Sequence, residues 1–237
     1  MMPSLPIHPL HLGTITRPIG NFCQGLKPDR VEDLPLIAWY IEGSDKKILV
    51  DTGGGDPSEA LPRWLPYRRE TGQSIEEALE KIGVGCDEID LVVATHLHWD
   101  HTGGNRLFES RKIIVQEEEL RYARRPEADG ACLPGIVDLD YTVVSGDTDI
   151  AKGVKTIVTR GHTFGLQGVL VEGQRRRMFI ASDTLPLFDN IRQEPYAISN
   201  IYVDLDGYYE SVKKIAGLSA FVLPSHDIRV FDKEVYD

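Results

Sequence analysis

Short runs of β-branched and aromatic residues recur along the chain, and turn-forming residues separate them. The run at 36–41 is followed by a polar turn at 43–45 and then by a second apolar run at 47–50. Two such runs around a short turn predict a β-hairpin. Similar runs predict further strands at 91–94, 113–115, 154–158, 168–171, 178–181 and 220–223.

Helical periodicity is clearest after Ser74. Ser74 and Glu77 match the capping box of a helix N-terminus, and apolar residues then recur at helical spacing until Gly83 ends the pattern. Further helices are predicted at 117–124 and from Asp206, as the N-cap residue, to about residue 216. Strands outnumber helices, and several strands are joined by turns of hairpin length. The pattern therefore predicts an α/β protein in which mixed sheets are covered by helices.

Length and composition are typical of one globular domain. The 237 residues are 41% hydrophobic and 27% charged, without an internal repeat, a low-complexity tract or a Gly/Ser linker. We therefore expect a single domain spanning residues 1–237. No stretch approaches the roughly 18 apolar residues of a membrane span, and the first residues lack the basic start and apolar run of a secretory signal. The sequence predicts a cytoplasmic protein without a membrane partner.

Charge and cysteine content each exclude a class of protein. Lys and Arg total 26, Asp and Glu total 37, and the formal net charge is −11. A chain this acidic repels phosphate backbones, so we expect no nucleic-acid partner. The cysteines Cys23, Cys86 and Cys132 are far apart and form no C-x-x-C pair, which indicates reduced structural thiols rather than a zinc ribbon or a redox site.

Histidines are concentrated in one short segment. The motif His96-x-His98-x-Asp100-His101 follows the predicted strand at 91–94. In an extended loop, residues two apart point the same way, so His96, His98 and Asp100 are expected to converge while His101 reaches a neighbouring point. Imidazole and carboxylate groups at this spacing indicate two adjacent metal positions. The alternative is a set of solvated surface histidines.

Three more ligand-type residues follow predicted strands. His162, Asp183 and His226 each come just after a β-rich run. Taken singly, each histidine would be interpreted as a hydrogen-bonded structural residue and the aspartate as a turn residue. Because the same context recurs at all of them, we expect these side chains to complete the metal site.

This set of residues resembles the dinuclear signature of the metallo-β-lactamase superfamily, from about residue 34 to near the C-terminus. The resemblance implies an αββα sandwich, in which two mixed β-sheets are flanked by helices and the metals lie in a cleft at one sheet edge. It also implies a role for each ligand-type residue. The first zinc would be held by His96, His98 and His162, the second by Asp100, His101 and His226, both would be bridged by Asp183, and Asp51 would support the metal loop from behind.

Within the superfamily, the chain is most similar to the N-acyl-homoserine lactonases and relatives such as pyridoxolactonase. The matching segments include 48–53, Thr95 and 226–228. Glyoxalase II relatives need a further helical region after the last histidine, whereas only residues 227–237 follow it here. The flavin-linked di-iron branch has Glu in place of the second motif histidine, whereas this chain has His98, which favours zinc. One departure is Pro186, where the lactonases typically carry a tyrosine that can touch the substrate carbonyl.

The resemblance and the ligand set together predict a zinc-dependent hydrolase with two Zn²⁺ ions that opens a lactone ring, as in quorum quenching. Two zinc ions lower the pKa of a shared water, so a bridging hydroxide would attack the carbonyl. Asp100 is the catalytic candidate, because a free oxygen can relay the proton to the departing alkoxide; the alternative is a purely ligating role. Hydrolysis of another ester, a thioester, an amide or a phosphodiester, and a non-hydrolytic di-metal protein, stay open as alternatives.

Aromatic residues supply the candidates for the substrate pocket. The expected partner is a small molecule, a lactone, and the sequence does not decide between a monomer and a homodimer. With Pro186 in place of the tyrosine, either Tyr196 or Tyr202 donates to the carbonyl, or zinc alone polarises a more reactive one. We therefore expect a substrate range shifted away from long-chain acyl-homoserine lactones. The pocket candidates are Phe22, Tyr40, Phe164, Phe188, Tyr196 and Tyr202.

Overall fold

The computed structural model describes residues 4–58, 66–128, 131–192 and 194–237, and within them it contains two β-sheets with helices on their outer faces. The strands are β1 (Ile7–Pro18), β2 (Val31–Ile41), β3 (Ile48–Val50), β4 (Tyr67–Arg68), β5 (Leu91–Val93), β6 (Lys112–Gln116), β7 (Tyr141–Val144), β8 (Thr148–Ala151), β9 (Val154–Val158), β10 (Gln167–Glu172), β11 (Arg177–Ser182) and β12 (Phe221–Pro224). The helices are α1 (Ile75–Lys81), α2 (Trp99–Thr102), α3 (Glu117–Ala123), α4 (Phe188–Ile191) and α5 (Leu205–Gly217).

The larger sheet is mixed, with the strand order β4-β1-β2-β3-β5-β6-β7. Its first strands are antiparallel neighbours, whereas β3, β5, β6 and β7 run parallel. The predicted hairpin is confirmed, because Trp39 lies opposite Val50 in the β2–β3 register. Val50 in turn lies beside Val93 at the ends of β3 and β5. The loops that follow these two strands therefore leave the sheet side by side.

The smaller sheet has the order β12-β11-β10-β9-β8. It is antiparallel except for the pair β11–β12, which runs parallel. Ser182 at the end of β11 lies opposite Pro224 at the end of β12. The loops after these strands also leave the sheet together, as do those after β3 and β5.

Apolar clusters fill the spaces between the layers. Between the sheets, Trp39 of β2 and Met178 of β11 belong to one buried cluster. Leu79 of α1 packs in a cluster on the outer face of the larger sheet, and Ile215 of α5 packs with Phe179 on the outer face of the smaller one. Each fully buried side chain of this size contributes about 1.5–3 kcal/mol. The layers follow the order helix, sheet, sheet, helix, so the predicted αββα sandwich is confirmed.

The predicted helix ends are partly right. The Ser74–Glu77 capping box is present at the N-terminus of α1. The prediction that Asp206 caps the last helix is wrong, because the Asp204 side chain accepts a hydrogen bond from the Gly207 amide at 3.0 Å and α5 begins at the next residue. Asp204 has the extended backbone that an N-cap residue needs, with φ −138° and ψ 96°.

The sequence patterns did not predict strand β1. Its 12 residues include Pro9 and two histidines, which obscure the apolar alternation. β1 pairs with β2 along most of its length, but with β4 only at Thr14 and Ile15. On the side away from β2, the bridge between Ile7 and Tyr236 ends before Pro9, so among the described residues Pro9 pairs only with β2. Proline is tolerated on such an edge. No helix in the described part of the chain combines the length and apolar character that crossing a membrane would require.

Candidate metal centre

The ligand-type side chains lie on loops that follow the ends of four strands. The motif histidines follow β5, and His162 follows β9. Asp183 comes directly after β11, and His226 comes shortly after β12. Because β11 and β12 end together, Asp183 and His226 leave the smaller sheet at the same edge. The structure therefore brings together residues that are distant in sequence.

One group of possible ligands consists of His96, His98 and His162. Their ring centroids lie 4.5 to 5.0 Å apart. The Nδ1 atom of His98 lies 2.9 Å from the Nε2 atom of His162. Two ligand atoms of a tetrahedral zinc ion lie about 3.3 Å apart when each Zn–N bond is about 2.0–2.1 Å. The three imidazoles are therefore close to the spacing that one shared cation requires.

A second group consists of Asp100, His101 and His226. The Oδ2 atom of Asp100 lies 3.9 Å from the Nε2 atom of His101 and 3.8 Å from that of His226. Both histidines are almost completely buried, and the Asp100 side chain is 12% exposed. This group faces the first one, since the His96 and His101 rings are only 4.2 Å apart.

Asp183 lies between the two groups, and its oxygens face different members. Its Oδ2 atom lies 3.3 Å from the His162 Nε2 atom. Its Oδ1 atom lies 3.2 Å from the Nε2 atom of His101 and 3.1 Å from that of His226. These distances match the ligand spacing around tetrahedral zinc, about 3.3 Å. A carboxylate in this position can contact two cations at once.

Unpaired nitrogen atoms indicate that the site suits a metal. Within the described residues, the Nε2 atoms of His96, His101 and His226 are buried and make no hydrogen bond. A buried polar atom without a partner costs about 1–3 kcal/mol. A cation at each group would give these nitrogens a partner. The donor set of nitrogen and oxygen atoms therefore fits a pair of zinc ions.

Three of the histidines donate their second ring nitrogen, Nδ1, to an acceptor behind the ring. The Nδ1 atom of His101 donates to Asp51 Oδ2 at 2.7 Å. The Nδ1 atoms of His162 and His226 donate to main-chain carbonyl oxygens, at 3.0 Å and 2.9 Å. An acceptor behind Nδ1 leaves the Nε2 lone pair directed at the site. Asp51 thus contacts His101 on the side of the ring away from the ligand atom Nε2.

Asp51 also joins two strands through a buried network. It accepts hydrogen bonds from the amide and hydroxyl of Thr95, both at 2.8 Å, and the Ser182 hydroxyl donates to Thr95 at 2.8 Å. Asp51 and Ser182 have φ values of 62° and 48°, in the left-handed region that non-glycine residues rarely adopt. Such backbone strain persists only where the surroundings impose it. The network connects the ends of β3, β5 and β11 beneath the metal groups.

Glu119 is a residue of this site that sequence reasoning missed. Its buried carboxylate accepts hydrogen bonds from the Leu97 amide at 2.9 Å and the Thr163 hydroxyl at 2.5 Å. It also accepts from the Gly165 amide at 3.2 Å. Glu119 therefore joins the motif loop to the loop that carries His162. In the sequence it belongs to three successive glutamates at the start of α3, a pattern typical of favourable helix-dipole interactions.

Two further residues that the sequence did not indicate hold Asp183 in place. The Ser225 hydroxyl donates to Asp183 Oδ1 at 2.7 Å. The buried Tyr208 hydroxyl donates to the main-chain carbonyls of Asp183 and Thr184, at 2.8 Å and 2.9 Å. Burial raises the pKa of Tyr208 above its ordinary value, so the phenol keeps the proton that it donates. The position of Asp183 is thus set by both side-chain and backbone contacts.

Burial keeps the first group of imidazoles neutral. It lowers the pKa of His96 and of His98 well below the ordinary value, and neighbouring imidazoles lower it further. Burial likewise lowers the pKa of His162, although Asp183 opposes the effect. A neutral imidazole is the form that binds a metal ion. The first group is therefore ready to act as a ligand set at neutral pH.

Carboxylates change the balance in the second group. Burial opposes protonation of His101, but the charges of Asp183, Asp51 and Asp100 outweigh it and raise the His101 pKa well above its ordinary value. Burial also opposes protonation of His226, whose pKa is raised by Asp183 and Asp100. For Asp183, burial favours the neutral acid, yet the surrounding imidazoles hold its pKa well below the ordinary value. The second group thus has the more negative electrostatic environment, which favours positive charge there.

The expected geometry of the motif needs a correction. The loop was predicted to be extended, with His96, His98 and Asp100 on one side. The chain is extended only to His98, and residues Trp99–Thr102 then form the helical turn α2. This turn separates Asp100 from the first group and places it with His101 in the second. After the turn, Gly103 approaches the backbone so closely that an added Cβ would lie 2.0 Å from the Gly55 nitrogen.

A cavity of about 300 Å³ opens beside both groups. Phe22, a pocket candidate, lines it, and its ring centroid lies 5.4 Å from that of His226. The other lining residues were not predicted, apart from the ligand-type ones. The cavity is lined by Ile15, Arg17, Phe22, His98, Trp99, Asp100, Ala131, His162, Asp183 and Ile201.

Other aromatic pocket candidates lie elsewhere. Tyr40 is wrong as a pocket residue, because it is 2% exposed and packs in the cluster beneath α1. Phe164 packs against Tyr122, and Phe188 packs beside the cluster between the sheets. Tyr40 and Phe188 therefore contribute to the core, where aromatic residues are most often found, and Phe164 is half-buried against Tyr122. None of the three is among the residues that line the cavity.

The two tyrosines expected to compensate for Pro186 do not line the cavity either. Tyr196 packs beside the cluster on the outer face of the smaller sheet. Tyr202 is 42% exposed. Pro186 itself contributes through its backbone, because its carbonyl accepts a hydrogen bond from the His226 amide at 2.9 Å. Among the described residues that line the cavity, no tyrosine hydroxyl is present.

Comparison with known proteins identifies the family. Residues 37–226 match the metallo-beta-lactamase superfamily. The chain belongs to this superfamily. Two sheets flanked by helices, with histidine and aspartate groups at the strand ends, agree with that membership.

Similar members of the superfamily are N-acyl homoserine lactonases. One from a Bacillus species is 32% identical over 162 residues, which are 63% of this chain and 63% of that protein. The match thus spans less than two thirds of that relative's length. N-acyl homoserine lactonase AiiB from Agrobacterium fabrum is 28% identical over 230 residues, covering 85% of this chain and 83% of the relative.

A solved structure has a fold similar to that of this chain. A variant of AiiA from Bacillus thuringiensis, with N-decanoyl-L-homoserine bound at its active site, superposes with a TM-score of 0.83. The superposition covers 98% of this chain and 96% of that one, at 24% sequence identity. This likeness concerns the fold.

Proposed function

We propose that this chain is a dinuclear zinc hydrolase that opens a lactone ring to give a hydroxy acid. The observation that carries the proposal is the position of Asp183 between two groups of buried imidazoles. The lactone as substrate class is supported by the names of the similar proteins, which are N-acyl homoserine lactonases. Hydrolysis needs no side-chain nucleophile in such a site, since the metals activate water.

The proposed ligand roles follow the two groups. Nitrogen and carboxylate ligands in tetrahedral arrangement are those that zinc prefers. Asp183 would contact both ions, because each of its oxygens faces a different group. The first ion would be held by His96, His98 and His162, and the second by Asp100, His101 and His226.

When bound, the two ions supply an activated water and a Lewis acid at neutral pH. The chain's own residues do the rest. Asp51 fixes the tautomer of His101, so that the imidazole needs no reorientation. Asp100 lines the cavity, and its carboxylate can take a proton from the water and pass it to the departing alkoxide. Phe22 and Trp99 form apolar walls that receive the ring and exclude bulk water.

Proton release by the zinc-loaded protein tests the substrate class. The panel comprises simple lactones, long-chain acyl-homoserine lactones, and open-chain esters and thioesters. We expect the highest kcat/KM on small lactones, because the cavity of about 300 Å³ is at the lower end for ligand pockets and no tyrosine hydroxyl lines it within the described residues. Turnover of thioesters or open-chain esters without any lactone opening would reject the proposal. A long-chain acyl-homoserine lactone as best substrate would keep lactone opening and reject the shifted range.

The role of Asp100 is tested separately. Asp100→Asn should lower kcat by about 10²- to 10⁴-fold, the usual contribution of a proton-transferring group. The variant must first be shown to hold as much zinc as the wild type, because the side chain is also a proposed ligand. Unchanged kcat at full zinc occupancy would restrict Asp100 to holding the metal.

A further inference from the structure

Arg17 brings a positive charge to the wall of the cavity. It lies near the end of β1, two residues after Ile15, and both side chains line the cavity because residues two apart on a strand share a face. Arg17 is half-buried. Within the described residues, its guanidinium takes part in no ion pair and no side-chain hydrogen bond.

The acidic residues next to Arg17 have other partners. Glu32, which lies opposite Arg17 in the β1–β2 register, forms an ion pair with Arg30. Asp33 forms one with Arg68, with an N–O distance of 2.6 Å, and also accepts from the Thr16 hydroxyl. Arg17 therefore has no acidic partner among the described residues, and it is the arginine that lines this cavity. Its guanidinium is available to a ligand.

A neighbouring cavity provides the contrast. That cavity, of about 350 Å³, is lined by His226 and by three arginines, Arg30, Arg192 and Arg229. Each of these arginines has an acidic partner: Arg229, for example, forms ion pairs with Asp189 and Asp227. Of the arginines that line these two cavities, Arg17 is therefore the one without an acidic partner among the described residues.

The remaining walls of the metal-side cavity define what else a ligand must have. Ile15, Phe22 and Trp99 are buried apolar side chains, and Ile201 and Ala131 continue that surface. Asp100 and Asp183 are the carboxylates of the cavity, and both belong to the proposed ligand groups. A ligand that fits is therefore compact and apolar, with an anionic group at the Arg17 end and a carbonyl at the metal end.

We propose that Arg17 determines substrate specificity by binding a carboxylate carried by the lactone. The guanidinium offers a planar pair of N–H donors that matches a carboxylate. This inference rests on the proposed function, and it names the substrate class as small lactones with an acidic substituent. Arg17 positions the ring and takes no part in proton transfer.

The test compares two ligands that differ in one charge. One is γ-butyrolactone with a carboxylate on the ring carbon next to the ring oxygen, and the other is the corresponding primary carboxamide. The zinc-loaded wild type should open the carboxylate-bearing lactone with a KM about 10- to 100-fold lower than for the carboxamide. A charge-assisted hydrogen bond accounts for a difference of this size. Arg17→Ala should remove this difference by raising KM for the carboxylate-bearing lactone. KM for the carboxamide, and kcat for both lactones, should stay unchanged.

Two further variants sharpen the comparison. Arg17→Lys should restore part of the preference, since it keeps the charge and loses the planar pair of donors. Arg175→Ala removes the same charge from a side chain that is 78% exposed, and it should leave the preference intact. An equal loss of kcat on both lactones in Arg17→Ala would assign Arg17 to the reacting carbonyl and overturn the proposal. An unchanged KM ratio would overturn it as well.

A binding measurement separates this inference from the proposed function. Glutarate and its monoamide are titrated calorimetrically into the zinc-loaded wild type and into Arg17→Ala. The wild type should bind glutarate at least about 10-fold more tightly than the monoamide. Arg17→Ala should bind the two compounds with equal affinity. If no lactone is opened, the proposed function fails, and this comparison still decides whether Arg17 binds a carboxylate. Equal binding by the wild type would overturn the proposal.

Discussion

Three of the five imidazoles of the metal centre depend on the group behind them. The hydrogen bond from His101 Nδ1 to Asp51 leaves Nε2 as the only free nitrogen, and carbonyl oxygens do the same for His162 and His226. Such partners typically account for 10- to 100-fold in metal affinity or activity. At the scale of single residues, the site is therefore made by pairs, one side chain to hold a cation and one acceptor to aim it.

Removal of a proposed ligand should abolish most turnover. We expect His98→Ala and Asp183→Asn each to lower kcat by more than about 100-fold, since even a partner behind a ligand is worth 10- to 100-fold. The first change removes a nitrogen from one group, and the second weakens the charge shared by both. Kinetics and zinc content of the folded variants are measured together.

His8→Ala is the matched control for the histidine. His8 is half-buried on β1, and its Nε2 atom lies 3.2 Å from Glu42 Oε2. It lies outside the proposed ligand groups. The control should keep wild-type zinc content and kcat. A His98→Ala enzyme with wild-type kcat would contradict the assignment of the first group.

The Cys23 thiol should react slowly and only at high pH. Burial raises the pKa of Cys23 from 9.0 to about 11, with Asp189 adding to the effect. The native thiol then has about 100-fold less thiolate than the unfolded one at pH 8. Because the native pKa is the higher one, the thiol's contribution to the free energy of unfolding is complete below pH 9.0 and is lost as the pH rises through about 11.

Carbamidomethylation rates measured against pH test this prediction. The chain has three cysteines, and all are free. The double variant Cys86→Ser, Cys132→Ser therefore leaves Cys23 as the one thiol that can react. The urea-unfolded chain is the reference and should titrate near pH 9.0. A native thiolate that titrates there too would show that the pocket around Cys23 does not disfavour charge.

At the scale of elements, buried side chains join the metal loops to one another. Asp51 connects the loop after β3 to Thr95 after β5, and Thr95 contacts Ser182 at the end of β11. Glu119, at the start of α3, connects the motif loop to the loop after β9. The relative position of the two ligand groups thus depends on buried side chains that do not themselves face the cavity.

Glu119→Gln should destabilise both loops. The amide nitrogen of glutamine cannot accept the hydrogen bonds that one of the carboxylate oxygens now receives. We expect a loss of about 1–3 kcal/mol in the free energy of unfolding, typical for hydrogen bonds to a buried charge. Urea unfolding of the zinc-loaded protein measures this loss, and zinc affinity should fall with it.

Glu117→Gln provides the comparison on the same helix turn. Glu117 is exposed, so its replacement should change the free energy of unfolding by no more than about 0.5 kcal/mol. Equal effects of the two changes would mean that Glu119 acts through the helix dipole and not through the loops.

At the scale of the whole molecule, two sheets each direct a pair of neighbouring strand ends to one cleft. β3 and β5 supply the motif loop and its support, and β11 and β12 supply Asp183 and His226. The ligand groups therefore contain residues from both sheets. Cations bound there would connect the two halves of the sandwich, and binding energy would stabilise the fold.

We expect two zinc ions per chain and a lower melting temperature after their removal. A single zinc uses three or four protein ligands, and the residues present form two such groups around Asp183. Native mass spectrometry after chelation and zinc return measures the number of ions. Calorimetry of the two forms should show the chelated protein melting several degrees lower. Saturation at one ion, unchanged in His226→Ala, would contradict the two-ion arrangement.

Much of the architecture was accessible from local patterns. The hairpin, the capping box at Ser74 and the strands that precede each ligand follow from runs of apolar residues and from turn chemistry. β1 was missed because proline and histidine interrupt its alternation, and the start of α5 was misplaced because Asp204 and Asp206 are both suitable caps. The pairing with β2 defines β1, and the hydrogen bond to the Gly207 amide selects Asp204 over Asp206. Local sequence patterns show neither contact.

The sequence alone determined which residues can bind a metal and which strand each one follows, because imidazole spacing and apolar runs are local properties. Local patterns did not determine how these residues combine, and for that the sequence offered only the family resemblance. The tertiary structure decides it: the turn α2 moves Asp100 away from His96, and Asp183 comes to lie between groups from both sheets. The same holds for Glu119 and for Arg17 in the cavity wall. Their roles depend on contacts between residues far apart in the chain, and no local pattern records such contacts.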